Sequence, residues 1–213
     1  MRRMMIAATV MVMVGAASAQ AIKTDSPGAA LDALLAAVKT QDVAAIKKTL
    51  FIEAGQEGEV DAFLGLMRAT DALQKSATAK FGAEQAKIFG APTGAQIDAR
   101  LAVLKDASVK IFDDTATMTI AGDEKAKVPA GTLTFRKVEG AWQVEAKSLF
   151  MLNDSRKSKL AKVLGELITA VGKEIDAGKF VTANEAGQSL RERSVAAALA
   201  VERATSQPAA TQP

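Results

Sequence analysis

The chain is 213 residues long and contains no histidine, no cysteine and no tyrosine. That composition excludes the commonest general base, thiol nucleophiles, the serine–histidine dyad, the usual zinc ligands and any disulfide, so catalysis would have to run on Asp, Glu, Lys, Arg, Ser or Thr. The formal charge of +3 includes Arg2 and Arg3; without them the chain is nearly neutral and has no general attraction to nucleic acid or anionic lipid.

Residues 1–19 read as a secretory signal peptide. Arg2 and Arg3 give a cationic start, Met4 to Val14 an apolar core, Gly15 a break, and Ala17-Ser18-Ala19 the small residues a signal peptidase needs. An uncleaved anchor is the alternative, but a dense apolar core of 11 residues is short of the roughly 20 that span a bilayer. Ala19-Gln20-Ala21 offers a second cleavage site. The expectation is Sec export to the periplasm or the medium, with no stable membrane span after cleavage.

Ser26-Pro27 opens a first helix, a serine cap followed by proline where its missing N–H costs nothing. Leu31, Leu34, Leu35 and Val38 form its apolar face. Thr40-Gln41-Asp42 breaks the chain, and Val43, Ile46 and Leu50 continue on a second short helix. Glu53 to Gly58 reads as a loop, and a long helix follows from about Glu59 to Phe81 with Val60, Phe63, Leu64, Met67 and Leu73 inward. Gly90-Ala91-Pro92-Thr93-Gly94 has loop chemistry, and Ala95 to Leu104 the spacing of another short helix.

The period then changes from helical to alternating. Val109 and Ile111, then Ala116, Met118 and Ile120, alternate with polar neighbours around a turn at Asp113-Asp114. Leu133 and Phe135, then Trp142 and Val144, do the same around Glu139-Gly140. These are two hairpins, giving four strands of an antiparallel sheet with one buried face. After Asn153-Asp154-Ser155 a strong stripe of Leu160, Val163, Leu164, Leu167, Ile168, Val171 and Ile175 marks an amphipathic helix ending near Gly178. Thr182 to Glu185 is a capping-box pattern, opening an alanine-rich helix to about Ala204 with a weak stripe of Leu190, Ala197, Leu199 and Val201. The tail from residue 205 has no apolar period and is expected to be disordered.

The resulting expectation is an α+β fold, with N-terminal helices packed on a curved antiparallel sheet of about four strands and a two-helix C-terminal extension. Its segments are a signal peptide (1–19), a cone-like domain (26–147), the helical extension (153–204) and the tail (205–213). The opening Ser26-Pro27 through Leu35, Asp42 to Leu50, Ala116-Thr117-Met118-Thr119, and Leu133 to Val144 with its Glu139-Gly140 turn and Trp142 resemble the nuclear transport factor 2-like superfamily. The likeness covers residues 26–147; the helices after Ser155 depart from it. It implies a sheet wrapped around a pocket closed by the N-terminal helices. Its enzymatic members usually place Asp, His or Tyr inside the cone, and two of those residue types are missing here. The superfamily includes enzymes, small-ligand binders and assembly domains, so fold alone selects no function.

Asp113-Asp114 could form a metal site or carboxylate dyad, but its hairpin position favours a solvated turn. Asp123-Glu124 beside Lys125 and Lys127 reads as a mixed-charge loop. Glu57, Glu59 and Asp61 complement a helix start, with a cation site as the lesser alternative. Trp142 is a pocket wall or a core anchor; with Met118, Phe135 and Val144 it would line a small-ligand pocket if one exists. Arg136 lies on the opposite face by alternation. The basic run Arg156, Lys157, Lys159 and Lys162 has no interleaved aromatics and reads as a polar helix face rather than a site for an anionic polymer or headgroup. The Leu160–Ile175 stripe packs on the sheet or on the long helix, or else serves as a homodimer or partner surface. No cofactor or metal is expected. The function expected is binding of a small apolar ligand or a protein partner, without catalysis. The alternatives are a cofactor-free isomerase or hydro-lyase using one buried carboxylate of raised pKa, and a purely structural assembly domain.

Overall fold

A computed structural model describes residues 24–89, 102–104, 106–125, 130–150, 152 and 155–206. The leader, the Gly90–Gly94 loop, most of the Ala95–Leu104 helix and the tail beyond Ser206 lie outside the described residues. Helix α1 spans Pro27–Thr40. Ser26 caps it, its Oγ accepting from Ala29 N at 3.1 Å, and Gln41 ends it in the left-handed region with φ 57°. Asp42 then caps α2 (Val43–Thr49), its Oδ1 accepting from Ala45 N at 3.0 Å. The buried face of α1 runs through Ala30, Leu31, Leu34 and Ala37; Val38, expected on it, is 38% exposed.

Leu50, expected at the end of α2, turns extended and starts the two-residue strand β1 (Leu50–Phe51). Helix α3 covers Glu57–Phe81 and starts two residues before the expected Glu59, so Gly58 is helical. Gly82 stops it with φ 84°. A short α4 (Ala83–Ala86) and a 3₁₀ turn (Lys87–Phe89) follow. The two hairpins form as expected: β2 (Ser108–Phe112) with β3 (Thr115–Ile120), and β4 (Gly131–Val138) with β5 (Ala141–Glu145). Asp113 and Glu139 take positive φ at their turns, where Asp is well suited. Helix α5 (Ala146–Phe150) follows β5 without a break. Helices α6 (Ser155–Asp176) and α7 (Ala183–Ser206) complete the described residues.

The protein is α+β. Its sheet has five strands in the order β1-β5-β4-β3-β2, not four, and it is mixed. The extra strand, β1, pairs parallel to β5, Leu50 opposite Val144; a two-residue strand is too short to show a period. The other pairs are antiparallel, with Ala116 opposite Phe135 and Phe135 opposite Val144, so these side chains share a face.

Two clusters of buried side chains hold the molecule together. The first joins the inner face of the sheet to α1, α2 and the first half of α3 through Leu31, Leu34, Ile46, Val60, Leu64 and Phe135. The second joins the second half of α3 to α4, α6 and α7 through Leu73, Ala77, Ala86, Val171, Ile175 and Ala186. Helix α3, 25 residues long, belongs to both. Helix α6 therefore packs on α3, and α7 packs on α6, on α4 and on the 3₁₀ turn. The capping box at Thr182 forms, with Glu185 N donating to Thr182 Oγ1 at 3.2 Å and Glu185 Oε2 accepting from Thr182 N at 3.4 Å. Helix α7 buries Ala183 and Ala186, whereas Leu199 of its expected stripe is 47% exposed.

Candidate functional site: a groove between α3 and α6

Helices α3 and α6 run in the same direction, in a register fixed by small residues. A Cβ placed on Gly165 would lie 3.4 Å from Leu66 Cα, and one on Gly172 would lie 3.8 Å from Leu73 Cα. Both glycines are buried, and their spacing of seven residues equals that of the leucines they face. Ala161, Gly165, Ile168, Gly172 and Ile175 step along α6 by alternating fours and threes, the repeat that keeps one seam of a helix on its neighbour. With only hydrogen at Cα, α6 approaches the backbone of α3 itself.

The same small residues leave a groove where the seam reaches solvent. It is an open depression of about 570 Å³, lined by Gly58, Asp61, Ala62, Gly65 and Leu66 from α3, and by Lys162, Gly165, Glu166 and Thr169 from α6. Its floor is apolar. Asp61 on its edge is tied to Lys47 of α2 by an ion pair, while Lys162 and Glu166 stand exposed on the other side. Cβ atoms on Gly58 or Gly65 would meet nothing. A glycine in a helix interior, such as Gly65, costs roughly 0.5–1 kcal/mol relative to alanine, while Gly58 sits in the first turn of α3; a Cβ at either would enter open space.

The sheet face is packed differently. Met118, Phe135, Trp142 and Val144 lie side by side on the inner face, 0–4% exposed, within the first core cluster. Val60 and Leu64 of α3 and Leu31 and Leu34 of α1 belong to the same cluster. Trp142 N donates to Thr24 O at 2.7 Å, fixing the segment before α1 to the edge of β5, and Lys137 Nζ stands 5.9 Å from the indole centroid. Arg136 is on the outer face. Its Nε donates to Glu145 Oε1 at 3.2 Å, Thr134 Oγ1 donates to Glu145 Oε2 at 2.8 Å, and its guanidinium lies 4.7 Å from the Phe51 ring centroid.

The ionisable groups singled out from the sequence are dispersed. Asp113 and Asp114 form the exposed hairpin turn. Glu57 and Glu59 occupy the first turn of α3, and Glu57 Oε2 accepts from Gly55 N at 2.9 Å. Among the described residues, no group of three or more acidic side chains is placed to hold a metal ion. Glu174 is the one described carboxyl whose titration is clearly displaced. Burial pushes it up, but the hydrogen bond and charge of Arg193, aided by Lys179, outweigh that and hold it below the usual carboxylate range. Its Oε2 is 3.0 Å from Arg193 Nη1 and its Oε1 3.4 Å from Lys179 Nζ, so it clamps α6 to α7.

Of the Leu160–Ile175 stripe, Val171 and Ile175 are buried in the helical core and Leu167 and Ile168 pack against it. The groove lies on a different side of α6, and hydrophobic periodicity could not find it, because its signal is the absence of side chains. Gly58, Ala62 and Gly65 fall at helical spacing, a pattern that is visible only once Gly58 is known to be helical. Among the described residues, no helix is long and apolar enough to cross a membrane. Comparison with protein-family models, curated proteins and solved structures gave no match.

Proposed function

We propose that this chain is an exported, non-enzymatic binding protein of the nuclear transport factor 2-like kind with a helical extension. Its partner would be a protein that seats a helix in the groove between α3 and α6. The observation that carries this reading is Gly65, which lowers the groove floor at a cost in helix stability although a Cβ there would meet nothing, with Gly58 extending the floor in the first turn of α3. A partner helix laid into an apolar groove is a common recognition mode, and glycine permits the close backbone approach it needs.

The burial of Met118, Phe135, Trp142 and Val144 supports a protein partner over a small apolar ligand on the sheet. The same filled core favours, as a second reading, a purely structural assembly role. A photo-crosslinking amino acid at Thr169, on the groove rim, tests both in cells that export the protein. Docking predicts a discrete crosslinked species that disappears when Gly65→Leu fills the groove. A crosslink indifferent to Gly65→Leu, or none at all, refutes the groove as a docking site.

A further inference from the structure

Helix α7 has two unlike faces. Inward, Ala183 and Ala186 are buried and Leu190, Ala197 and Val201 half-buried, where the helix meets α6, α4 and the 3₁₀ turn. Outward, Val195 and Leu199 are 56 and 47% exposed and lie one turn apart on the same side. A charge cluster stands at each end of that pair, Arg191-Glu192 before it and Glu202-Arg203 after it, all four exposed. Two exposed apolar side chains need no explanation by themselves. The order of the charges around them does.

Arg191 and Glu202 are 11 residues apart, about three turns, and so share one flank of the Val195–Leu199 line. Glu192 and Arg203 have the same spacing and share the other flank. Toward the C-terminus the first flank therefore runs from positive to negative, and the second from negative to positive. A two-fold axis perpendicular to the helix at Ala197, the midpoint of the two clusters, lays each flank on the same flank of a second copy with its ends exchanged. Positive then meets negative at every corner.

We propose that α7 pairs with α7 of a second copy of this chain, antiparallel about a two-fold axis at Ala197. Val195 meets Leu199 of the second copy, so four apolar side chains form the seam. Arg191 faces Glu202 of the second copy on one flank, and Glu192 faces Arg203 of the second copy on the other, each contact occurring twice. Like charges at the same height, such as Glu192 and Glu202 of the second copy, stand on opposite flanks with the seam between them. Flanking ion pairs of this kind select partner and direction in paired helices. The antiparallel arrangement also sets the two helix dipoles against each other. Internal contacts survive the pairing: Gln188 Nε2 donates to Glu192 Oε1 at 2.9 Å along the helix, and Arg193 is turned inward to Glu174.

A seam of this size belongs to the small class of interfaces, below about 1,200 Å², so association in the micromolar range is expected. The purified protein should sediment as a dimer at high micromolar concentration. Leu199→Glu should weaken that association by about tenfold or more, as expected for a central interface residue, with far-UV circular dichroism and Trp142 fluorescence unchanged. Glu192→Arg and Arg203→Glu should each weaken it several-fold, and the double exchange should restore it. That rescue also fixes the direction, because a parallel pair would set Glu192 beside Arg191 of the second copy. A chain that stays monomeric at high micromolar concentration overturns the proposal. A dimer indifferent to Leu199→Glu, or a double exchange no better than its single variants, overturns it equally. The groove reading is untouched by any of these results, because Gly65 and Thr169 lie on α3 and α6.

Discussion

The sheet-side core and the helix-side seam solve the same problem with opposite materials. On the sheet, large side chains such as Phe135, Trp142, Ile46 and Leu34 fill the space between layers. Along α3 and α6, Gly165 and Gly172 bring the helices close beside the buried side chains of Leu73, Val171 and Ile175. Packing by bulk excludes voids and is sensitive to truncation. Packing by small residues is sensitive to enlargement, and it leaves grooves wherever the seam ends. Because α3 carries Val60 and Leu64 into one core and Leu73 and Ala77 into the other, the two regions should not melt apart.

That last expectation can be broken most severely by truncation. Phe135→Ala, at a position with no exposed surface, should cost about 3–5 kcal/mol, and Ile175→Ala in the other core about 2–5 kcal/mol. Trp142 is the sole tryptophan and sits in the sheet-side core, so its fluorescence reports one region while helical circular dichroism is dominated by the other. In urea, the two signals of the Ile175→Ala variant should fall in one coincident transition. A helical loss that precedes the Trp142 signal would show that α3 does not couple the cores.

The next effect is of opposite kind. Gly165→Leu enlarges a position whose Cβ already lies 3.4 Å from the Leu66 backbone, and a backbone atom cannot rotate away. Overpacking of this sort costs about 1–3 kcal/mol, whereas Gly165→Ala stays within ordinary contact and should cost far less. Thermal melts of the two variants should separate clearly. Equal melting temperatures would mean that α6 is free to slide outward and that the seam is not close-packed.

These two regions were unequally legible in the sequence. The sheet announced itself because Ala116, Met118, Leu133, Phe135, Trp142 and Val144 alternate with polar residues, and a period of two has one structural meaning. Its turns were equally plain at Asp113 and Glu139. Strand β1 was hidden, since Leu50 also completes the helical spacing of Val43 and Ile46 and only its pairing with Val144 makes it a strand. The groove was hidden for another reason. Apolar patterning records where side chains go, so Leu160 to Ile175 was visible as a stripe, but Gly58 read as loop chemistry and Gly165 carried no weight in a hydrophobic count.

A smaller effect lies in the clamp between α6 and α7. The Glu174 carboxyl is held below its usual range by Arg193 and Lys179 against the upward push of burial. Its contribution is therefore fully present above the unfolded value of about 4.3, and fades as pH falls through the lower folded value. Glu174→Gln should lower stability at neutral pH, and the gap to the unaltered protein should close in acid below that point. Added salt should narrow the gap at neutral pH, because Arg193 and Lys179 are 43 and 64% exposed. A gap that widens in acid would assign the clamp to packing rather than charge.

The smallest expected change separates the two uses of glycine most sharply. At Gly165 the lack of a larger side chain serves the fold, since the Leu66 backbone leaves room for no more than a Cβ; at Gly65 a Cβ would meet nothing. Gly65→Ala should therefore raise stability by roughly 0.5–1 kcal/mol, the ordinary helix preference for alanine, and the increase should appear in urea melts of the isolated protein. A glycine that lowers stability where a side chain would meet nothing inside the chain is the pattern expected where function, not folding, sets the choice. Destabilisation by Gly65→Ala would place an internal contact at this position and remove the argument that the groove floor is kept low for a partner. Stabilisation together with a weakened Thr169 crosslink would tie the cost in folding directly to binding.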